Sequence, residues 1–346
     1  MQQSVQRSPV ALKPNTAVNL YSAVNIHSAP SHFCRIREMR TKLKTRIGRK
    51  TKWMQVLSAL MAGCIGAALL AGCGGGGDGA DAASPNDGAA GTPAASTPAA
   101  APATWWKPVA SDTWQWQLRG ALNTSYNVVI YDIDLFDNSA GAIAQLKTRG
   151  RKIVCYFSAG SSENWRPDYS QFIAADMGSA LSGWPGENWL DTRSVNVRQI
   201  MTKRLDLAQS KGCDAVEPDN VDGYANNTSF PLTAQDQIDY NRFLADQAHK
   251  RGLAVALKND VDQLSDLEPS FDLAINEQCH QYLECGGYSV FISKNKPVLN
   301  AEYDAKYQNN TGGARDALCV SARSANMRTL VLPLQLDDTF RYSCDP

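Results

Sequence analysis

Histidine is the scarcest functional side chain in this sequence of 346 residues, which contains four copies. His249 and His280 are the two that fall beyond residue 104. Zinc sites and Ser-His-Asp triads both depend on histidine, so we expect neither kind of site. A phosphate-binding loop is also missing, because Gly74 to Gly77 follows no strand pattern and precedes no Lys-Ser or Lys-Thr pair. We therefore predict no metal ion and no other cofactor.

The chain has no net charge, because 34 basic residues balance 34 acidic ones. The two signs are unevenly distributed. Residues 1–52 hold 11 Lys and Arg and a single acid, Glu38, which leaves the rest of the chain with a net charge of about −10. An acidic body argues against DNA or RNA as a partner and suits a neutral or cationic ligand.

One segment of the sequence is apolar enough to enter a membrane. Residues 53–73 follow the basic stretch 1–52 and end in Leu70-Ala71-Gly72-Cys73. This order is typical of a secretory signal, and its ending resembles the bacterial lipobox, in which the cysteine is lipidated. We therefore expect an exported bacterial lipoprotein of the cell envelope, on its periplasmic or surface side, held to the membrane through a lipid anchor at Cys73. An uncleaved membrane helix is the alternative, and residues 1–52 are expected to be partly untranslated or removed.

The composition changes twice after the signal segment. Residues 74–104 consist almost wholly of Ala, Gly, Pro, Ser, Thr and Asp, so they lack the side chains of a core and are predicted to be a disordered linker. Residues 105–346 contain seven of the eight tryptophans. Their length fits one domain of barrel or doubly wound size.

Eight short runs of β-branched or alternating residues predict strands in this domain. They are residues 114–118, 128–133, 152–157, 213–217, 253–257, 271–276, 297–301 and 328–332. Helical patterns lie between most of them, one ending at Gly212 and another opening with a capping box at Thr233–Asp236. Strands that alternate with helices form parallel sheets. Eight of them in this length predict a closed (β/α)8 TIM barrel.

Polar and charged side chains follow the C-terminal ends of these runs, which meet at one mouth in a barrel. They are Asp132, Asp134, Ser158, Glu217, Asp219, Asn220, Lys258, Asn259, Glu277, Glu302 and Tyr303. Any one of these acids could simply cap a helix, but acids after four separate strands indicate a site. Converging carboxylates serve glycosidic hydrolysis, hard-metal binding or activation of a carbon acid. Nearby aromatic residues, which can stack on sugar rings, favour the first use; they are Tyr156, Trp165, Trp184, Trp189 and Tyr303.

Several longer motifs occur in order along the domain. They are Trp114–Leu118, Tyr131–Asp134, Cys155–Gly160, Trp184–Asp191, Glu217–Tyr224, Leu257–Asn259, Asn276–Cys279 and Glu302-Tyr303. Together they resemble glycoside hydrolase family 114, the endo-α-1,4-polygalactosaminidase family, over essentially all of residues 105–346. The resemblance implies a (β/α)8 barrel that cleaves α-1,4-linked galactosamine-containing polymers without a metal.

The resemblance also indicates which carboxylates act. In this family and in related α-galactoside-cleaving barrels the working pair follows the fourth and sixth strands, which corresponds here to Asp219 and Glu277. The strand argument leads to the same pair, because these strands are two apart around the barrel. We expect Asp219 to be the nucleophile and Glu277 the general acid and base of a retaining, endo-acting enzyme. Two alternatives stay open: a barrel acting on another α-galactoside or amino-sugar glycan, and a non-catalytic carbohydrate-binding lipoprotein.

The other strand-end residues are expected to bind substrate. Asp132, Asp134 and Glu302 would accept hydrogen bonds from sugar hydroxyls or from the ammonium of an unacetylated amino sugar. The remaining members of this set are Tyr156, Trp189, Asn220, Lys258, Asn259 and Tyr303. Glu217 faces away from its neighbours and is expected to be packed or paired with Lys258. A net charge of about −7 in the domain fits a cationic amino-sugar polymer as the polysaccharide partner.

Six cysteines lie in the domain, an even number that suits an exported protein. They allow 15 pairings. We predict Cys279 with Cys285 and Cys319 with Cys344. Cys155 and Cys213 fall on consecutive predicted strands and form either a third bridge or buried thiols.

Overall fold

The computed structural model describes residues 104–345. The expected N-terminal extension, the signal segment, the lipidation residue Cys73 and all but the last residue of the expected linker lie outside the described residues.

Twelve strands form within residues 104–345. In chain order they are β1 (Trp114–Gln117), β2 (Ile130–Asp134), β3 (Lys152–Ser158), β4 (Ser161–Glu163), β5 (Met177–Ala180), β6 (Glu187–Leu190), β7 (Ala215–Asp219), β8 (Ala254–Lys258), β9 (Leu273–Glu277), β10 (Val298–Glu302), β11 (Arg328–Val331) and β12 (Tyr342–Ser343). Eight of these, β1 to β3 and β7 to β11, are the eight strands that the sequence predicts, each within two residues of its expected bounds.

The eight predicted strands pair side by side in the order of the sequence, and all of their pairings are parallel. This is the order of a (β/α)8 barrel, so the predicted fold class is confirmed. Among the described residues no backbone ladder joins β11 back to β1. Instead β12 pairs antiparallel with β11, Arg341 donates to the carbonyl of Trp114 at 2.9 Å, and the Trp114 indole donates to the carbonyl of Arg328 at 2.9 Å. Side chains therefore bridge the seam.

Eight α-helices connect the strands within the described residues. They are α1 (Ala140–Thr148), α2 (Val195–Lys211), α3 (Ala234–His249), α4 (Leu264–Leu267), α5 (Cys279–Tyr282), α6 (Ser289–Ile292), α7 (Ala305–Gln308) and α8 (Ala314–Ser324). The predicted helix ends are confirmed: α2 stops at Gly212 with φ of 84°, and Thr233 and Asp236 cap each other at the start of α3. In residues 104–345 no helix combines the length and the apolar character needed to cross a membrane.

The parallel strands separate two apolar layers, because successive side chains of a strand point to opposite faces. The outer layer packs strand residues such as Ile133, Val216 and Leu257 against α1, α2 and α3. The inner layer fills the barrel with Trp116, Ile130 and other strand residues. In β2, β3, β7, β8 and β9 the inward-facing row is apolar near the start of the strand and polar near its end. The polar side chains of the interior therefore gather at one end of the barrel.

The loop after β3 contains a three-stranded antiparallel sheet in the order β4-β6-β5 that the sequence analysis did not predict. Each of its strands has three or four residues, which is too short for a clear alternation. The loop starts at the C-terminal end of β3, so this small sheet extends one wall of the barrel mouth.

Three disulfides stabilise the domain. The two predicted bridges, Cys279–Cys285 and Cys319–Cys344, are both present. Cys155 and Cys213 form the third bridge rather than remaining as thiols. This bridge links β3 to the turn before β7, so it ties together the two strands that meet beneath Asp219.

Candidate active site

Two adjoining cavities of about 260 and 390 Å³ open at the C-terminal ends of the parallel strands. Tyr156, Trp184 and Glu187 line both of them. The first cavity also contains Asp219 and Glu277, the two predicted catalytic residues. Together the two cavities form one cleft at this end of the barrel, which we call the mouth cleft. Asp219 and Glu277 lie in its first cavity.

Lys258 organises the first cavity. Its ammonium nitrogen lies 3.0 Å from Glu217 Oε1, 3.2 Å from Asp219 Oδ1 and 3.3 Å from Glu277 Oε2. The side chain is only 2% exposed, and its nitrogen also lies 4.7 Å from the centre of the Trp116 ring. Burial alone would lower the pKa of Lys258, but Asp219, Glu217 and Glu277 raise it well above the ordinary value. Lys258 is therefore a cation at all physiological pH values, and three carboxylates share it.

Asp219 ends β7 and is held by three donors. Tyr156 Oη donates to its Oδ2 at 3.0 Å, and the Asn220 backbone N–H donates to its Oδ1 at 2.7 Å. Lys258 is the third. Donors and a cation that converge on a carboxylate stabilise its anion. Burial and then the charge of Asp219 raise the pKa of Tyr156 well above its ordinary value, so the phenol keeps its proton as a donor.

The backbone around Asp219 takes a tight turn. Asn220 adopts a left-handed conformation with φ of 60°, which Asn tolerates better than most residues. Ala159 and Gly160 donate their N–H groups to the Asp219 carbonyl at 2.8 and 3.0 Å. A Cβ atom at residue 160 would lie 1.7 Å from the carbonyl oxygen of Asn220, so this close approach requires glycine.

Glu277 ends β9 and is more open to the cleft, with 28% of its side chain exposed against 16% for Asp219. Tyr303 Oη donates to its Oε1 at 2.5 Å, and Asn259 Oδ1 accepts from its backbone N–H at 2.9 Å. Burial and the charge of Glu277 raise the pKa of Tyr303 well above its ordinary value. Glu277 thus has one fixed donor and one oxygen shared with Lys258.

Asp132 and Glu217 form a buried pair beneath this site. Both are fully buried, and both oxygens of Asp132 and Oε2 of Glu217 have no hydrogen-bond partner among the described residues. Burial and then the charge of Glu217 raise the pKa of Asp132 well above its ordinary value, while burial raises the pKa of Glu217 to about 7. Glu217 is also the direct partner of Lys258, as the sequence suggested. Burial and the charge of Glu217 thus favour the neutral form of Asp132.

Asp134 is placed differently from Asp219 and Glu277. Arg166 donates to both of its oxygens, through Nη1 to Oδ1 at 3.0 Å and through Nη2 to Oδ2 at 2.5 Å. The backbone N–H groups of Phe136 and Asp137 also donate to Oδ1. Asp134 lines the second cavity, but its hydrogen-bonding capacity is already used within the protein.

Glu302 is not brought to the cleft. It follows Ala301, whose side chain fills the barrel interior, so the alternation of the strand turns Glu302 to the opposite face. There it accepts hydrogen bonds from the backbone of His280 at 2.9 Å and from Asn300 at 3.4 Å. Burial raises its pKa to about 7. The expected contact with sugar hydroxyls has no support from this position.

The other predicted binding residues lie in or beside the first cavity. Tyr156, Trp189, Asn220, Lys258 and Asn259 line it, and Tyr303 reaches it through its bond to Glu277. Two further acids in the cavity wall were not predicted as site residues. They are Glu187 and Asp222. Both lie inside motifs that carry the family resemblance, but neither ends a parallel strand, which is why the strand argument missed them.

Cys279, His280 and Cys285 bring potential metal-ligating atoms within 4.8 Å of one another. The two sulfur atoms are bonded to each other in a disulfide, so they offer no thiolate to a metal. The bridge follows Glu277 by two residues and restrains the loop that carries it.

The domain is similar to known proteins in both sequence and structure. The sequence profile of the glycoside hydrolase family GH114 matches residues 95–346. The crystal structure of Ega3 from Aspergillus fumigatus in complex with galactosamine is similar, with 46% sequence identity, coverage of 70% of this chain and 98% of Ega3, and a TM-score of 0.66. Among curated proteins, none matches this chain in sequence.

A more distant structure shares the fold. The glycoside hydrolase domain of PelA from Pseudomonas aeruginosa is 14% identical, with coverage of 67% of this chain and 98% of that domain and a TM-score of 0.54. At this identity the likeness concerns the barrel alone. The matched profile and the similarity to Ega3 cover the described domain, including both catalytic candidates. The chain therefore belongs to glycoside hydrolase family GH114 and is a glycoside hydrolase.

Proposed function

We propose that the protein is an exported enzyme that cleaves α-1,4-linked galactosamine-containing polysaccharide within the chain, with retention of configuration. The observation that carries the proposal is that Asp219 and Glu277 both contact one buried ammonium group. Each has an oxygen within 3.3 Å of Lys258 Nζ, so these two oxygens cannot be separated by more than twice that distance. This favours the ~5–5.5 Å spacing of retaining glycosidases over the ~6.5–9.5 Å spacing of inverting ones.

The hydrogen bonds support different roles for the two carboxylates. Asp219, with its three donors, is the nucleophile: one of its oxygens bonds to the anomeric carbon as the glycosidic C–O bond breaks. Glu277, the more exposed of the two, gives its proton to the departing oxygen. It then takes a proton from water, whose oxygen displaces Asp219 and releases the product. Lys258 stays charged throughout and limits the repulsion when both carboxylates are ionised.

Three observations support the substrate class. The domain is acidic by about seven charges, so it attracts a cationic polymer. Ega3, to which it is 46% identical, was crystallised with galactosamine. The mouth cleft consists of two joined cavities, which gives room for sugars on both sides of the cleaved bond, as endo-action requires.

Export and anchoring are proposed from the sequence. The basic stretch, the apolar residues 53–73 and the lipobox-like ending at Cys73 support a lipoprotein signal. Three disulfides in the domain fit an oxidising compartment. In this proposal a flexible linker tethers the barrel to the membrane through the lipid on Cys73.

The decisive experiment compares the wild type with Asp219→Asn and Glu277→Gln on de-N-acetylated α-1,4-galactosamine oligomers. Released reducing ends should fall about 10⁴-fold or more for Asp219→Asn and about 10²–10⁴-fold for Glu277→Gln. Asp206→Asn, an exposed acid bonded to Arg251, is the matched control and should keep full activity. The configuration of the first product, followed by NMR, tests retention.

Other outcomes would point elsewhere. Equal product from all variants would end the assignment of the catalytic pair. Binding of the oligomer by the wild type without any product would favour the carbohydrate-binding lipoprotein. Cleavage of other α-galactosides but not of galactosamine oligomers would move the enzyme to a different substrate.

A further inference from the structure

Glu187 differs from the other acids that line the mouth cleft. Asp219 and Glu277 share Lys258, and the acids of the second cavity lie within 4.0 Å of arginine nitrogens; these are Asp134, Asp137 and Glu163. Glu187 has no ion-pair partner among residues 104–345. Its Oε2 accepts a hydrogen bond from the Ser161 hydroxyl at 2.6 Å, and its Oε1 accepts none from any described residue.

The position of Glu187 is also distinctive. It starts β6 and lines both cavities, so it lies where they join. Trp184 and Tyr156 line both cavities with it, and Leu334 and Leu336 add an apolar wall. The side chain is only 6% exposed. Burial raises its pKa to about 7, a shift that the nearby Glu163 and Asp219 increase. A cation bound next to this carboxylate would stabilise its ionised form, which burial disfavours.

Asp222, the other lining acid without an ion pair among the described residues, is a weaker candidate. Its carboxylate accepts from the side-chain amide of Asn226 at 3.2 Å. It lines the first cavity only. A cationic group on a sugar that spans the junction would therefore meet Glu187 and not Asp222.

We propose that Glu187 is the specificity residue for the free amino group, binding the ammonium of a galactosamine unit at the junction of the two cavities. This inference rests on the proposed function. The free Oε1 would accept an N–H bond from the ammonium, while Ser161 keeps Oε2 in place. An N-acetyl group has one N–H, carries no charge and adds bulk against Trp184, so it would leave the buried carboxylate unpaired. Glu187 thus selects de-N-acetylated units.

The test measures kcat and KM for the wild type and for Glu187→Gln on two oligomers of equal length, one fully de-N-acetylated and one fully N-acetylated. Glutamine keeps the shape and the bond from Ser161 but removes the charge. KM for the de-N-acetylated oligomer should rise about 10- to 100-fold with kcat little changed. The N-acetylated oligomer should be affected less than about threefold. Asp206→Asn, at a side chain that is 58% exposed and lines neither cavity, removes one charge from the domain and should change neither KM by more than about twofold.

Each result decides the proposal. An equal rise of KM for both oligomers, or a loss confined to kcat, would overturn it. The same rise in Asp206→Asn would also overturn it, because general attraction by the acidic domain would then explain the effect. If Glu187→Gln does not fold, Glu187→Asp takes its place, because it keeps the charge but draws it back by one methylene from the junction. KM for the de-N-acetylated oligomer should then rise more than KM for the N-acetylated one, and an equal rise would contradict the proposal. A wild type that cleaves neither oligomer would instead refute the proposed function, and the specificity proposal with it.

Discussion

Acidic residues at the two ends of the barrel differ in how many hydrogen-bond and ion-pair partners they have. At the N-terminal end, Asp214 lies 3.2 and 3.4 Å from two lysine nitrogens. Asp272 at the same end accepts from Lys107 at 2.9 Å, from the Trp105 indole at 2.8 Å and lies 2.8 Å from His249. At the C-terminal end three carboxylates share the single cation of Lys258. The acids at the N-terminal end thus have several partners each, whereas the three carboxylates around Lys258 share one cation.

The number of partners separates acids whose ionised form stabilises the fold from acids whose ionisation is made less favourable by burial. Burial alone would raise the pKa of Asp272, but hydrogen bonds from His249, Trp105 and Lys107 bring it below its ordinary value. At the mouth, burial raises the pKa of Glu217 and of Glu187 to about 7. A raised carboxyl pKa in the folded state costs stability at neutral pH, and such groups cluster at functional sites.

The largest effect is expected when the shared cation is removed. Lys258→Met leaves Glu217, Asp219 and Glu277 without their common partner, so kcat/KM should fall about 10²–10³-fold. Lys107→Met, at the other end of the barrel, removes a lysine that is 64% exposed and should leave activity unchanged. Steady-state kinetics with a thermal melt of each variant checks the prediction. Full activity in folded Lys258→Met would show that the cation does not hold the pair.

A smaller effect, on stability, is expected at the N-terminal end. Asp272→Asn loses charge-assisted bonds and should lower the free energy of unfolding by about 2 kcal/mol at pH 7. Because the pKa of Asp272 is lowered in the folded state, this contribution is present above the ordinary carboxyl pKa and is lost as pH falls below it. Denaturant unfolding at pH 7 and pH 3 measures the change. As a control, Asp246→Asn breaks the exposed pair with Lys250 and should lower the free energy of unfolding by less than about 0.5 kcal/mol. A loss of stability in Asp272→Asn that persists at pH 3 would be inconsistent with the ion-pair explanation.

The opposite sign is expected for a buried acid at the mouth. Burial, and then Asp222 and Asp262, raise the pKa of Asp260 to about 8. The folded state therefore favours protonated Asp260, and its contribution to stability declines as pH rises from about 4 to about 8. Asp260→Asn should raise the free energy of unfolding by about 1 kcal/mol at pH 8 and by less at pH 5. Asn also tolerates the left-handed backbone at this position, where φ is 46°. Thermal melts at both pH values test this, and a variant that is less stable at pH 8 would refute it.

The smallest effect is expected for Asp132. Burial and the charge of Glu217 favour the neutral form of Asp132. Asp132→Asn should therefore change the site little, and kcat/KM should stay within about threefold of the wild type. Glu217→Gln, which removes a charge next to Lys258, should cost more. The comparison is made in one kinetic series at pH 7. A loss above about tenfold for Asp132→Asn would favour the original expectation that this carboxylate binds sugar.

Most of the fold could be predicted from the sequence because its signals are local patterns. Strand runs such as Lys152–Phe157 are both β-branched and bounded by turn residues, and the capping box at Thr233 is a signal confined to four residues. The contacts that bridge β11 and β1 could not be predicted, because the bond from Arg341 to Trp114 joins residues 227 positions apart. The three short strands β4 to β6 were missed for a different reason, since their pairing depends on a loop whose residues show no periodicity.

The site was accessible in part. Asp219 and Glu277 end parallel strands, so chain order alone brings them together. Asp134 and Glu302 occupy equivalent-looking positions in the sequence, yet one is paired with Arg166 and the other faces the helices. No strand-end rule identifies Glu187, because its role depends on two cavities meeting.

The amino-acid sequence by itself determined the strand order, the six cysteines of the domain and the proximity of Asp219 and Glu277. These features depend on short-range patterns and on a barrel that converts chain order into spatial order. Tertiary structure alone decided which acids obtain a cation and which remain without one. That outcome depends on which long side chains from distant elements reach a given carboxylate, as Arg166 does for Asp134 and Lys258 for three others. Distances of this kind are set only when the whole barrel has packed.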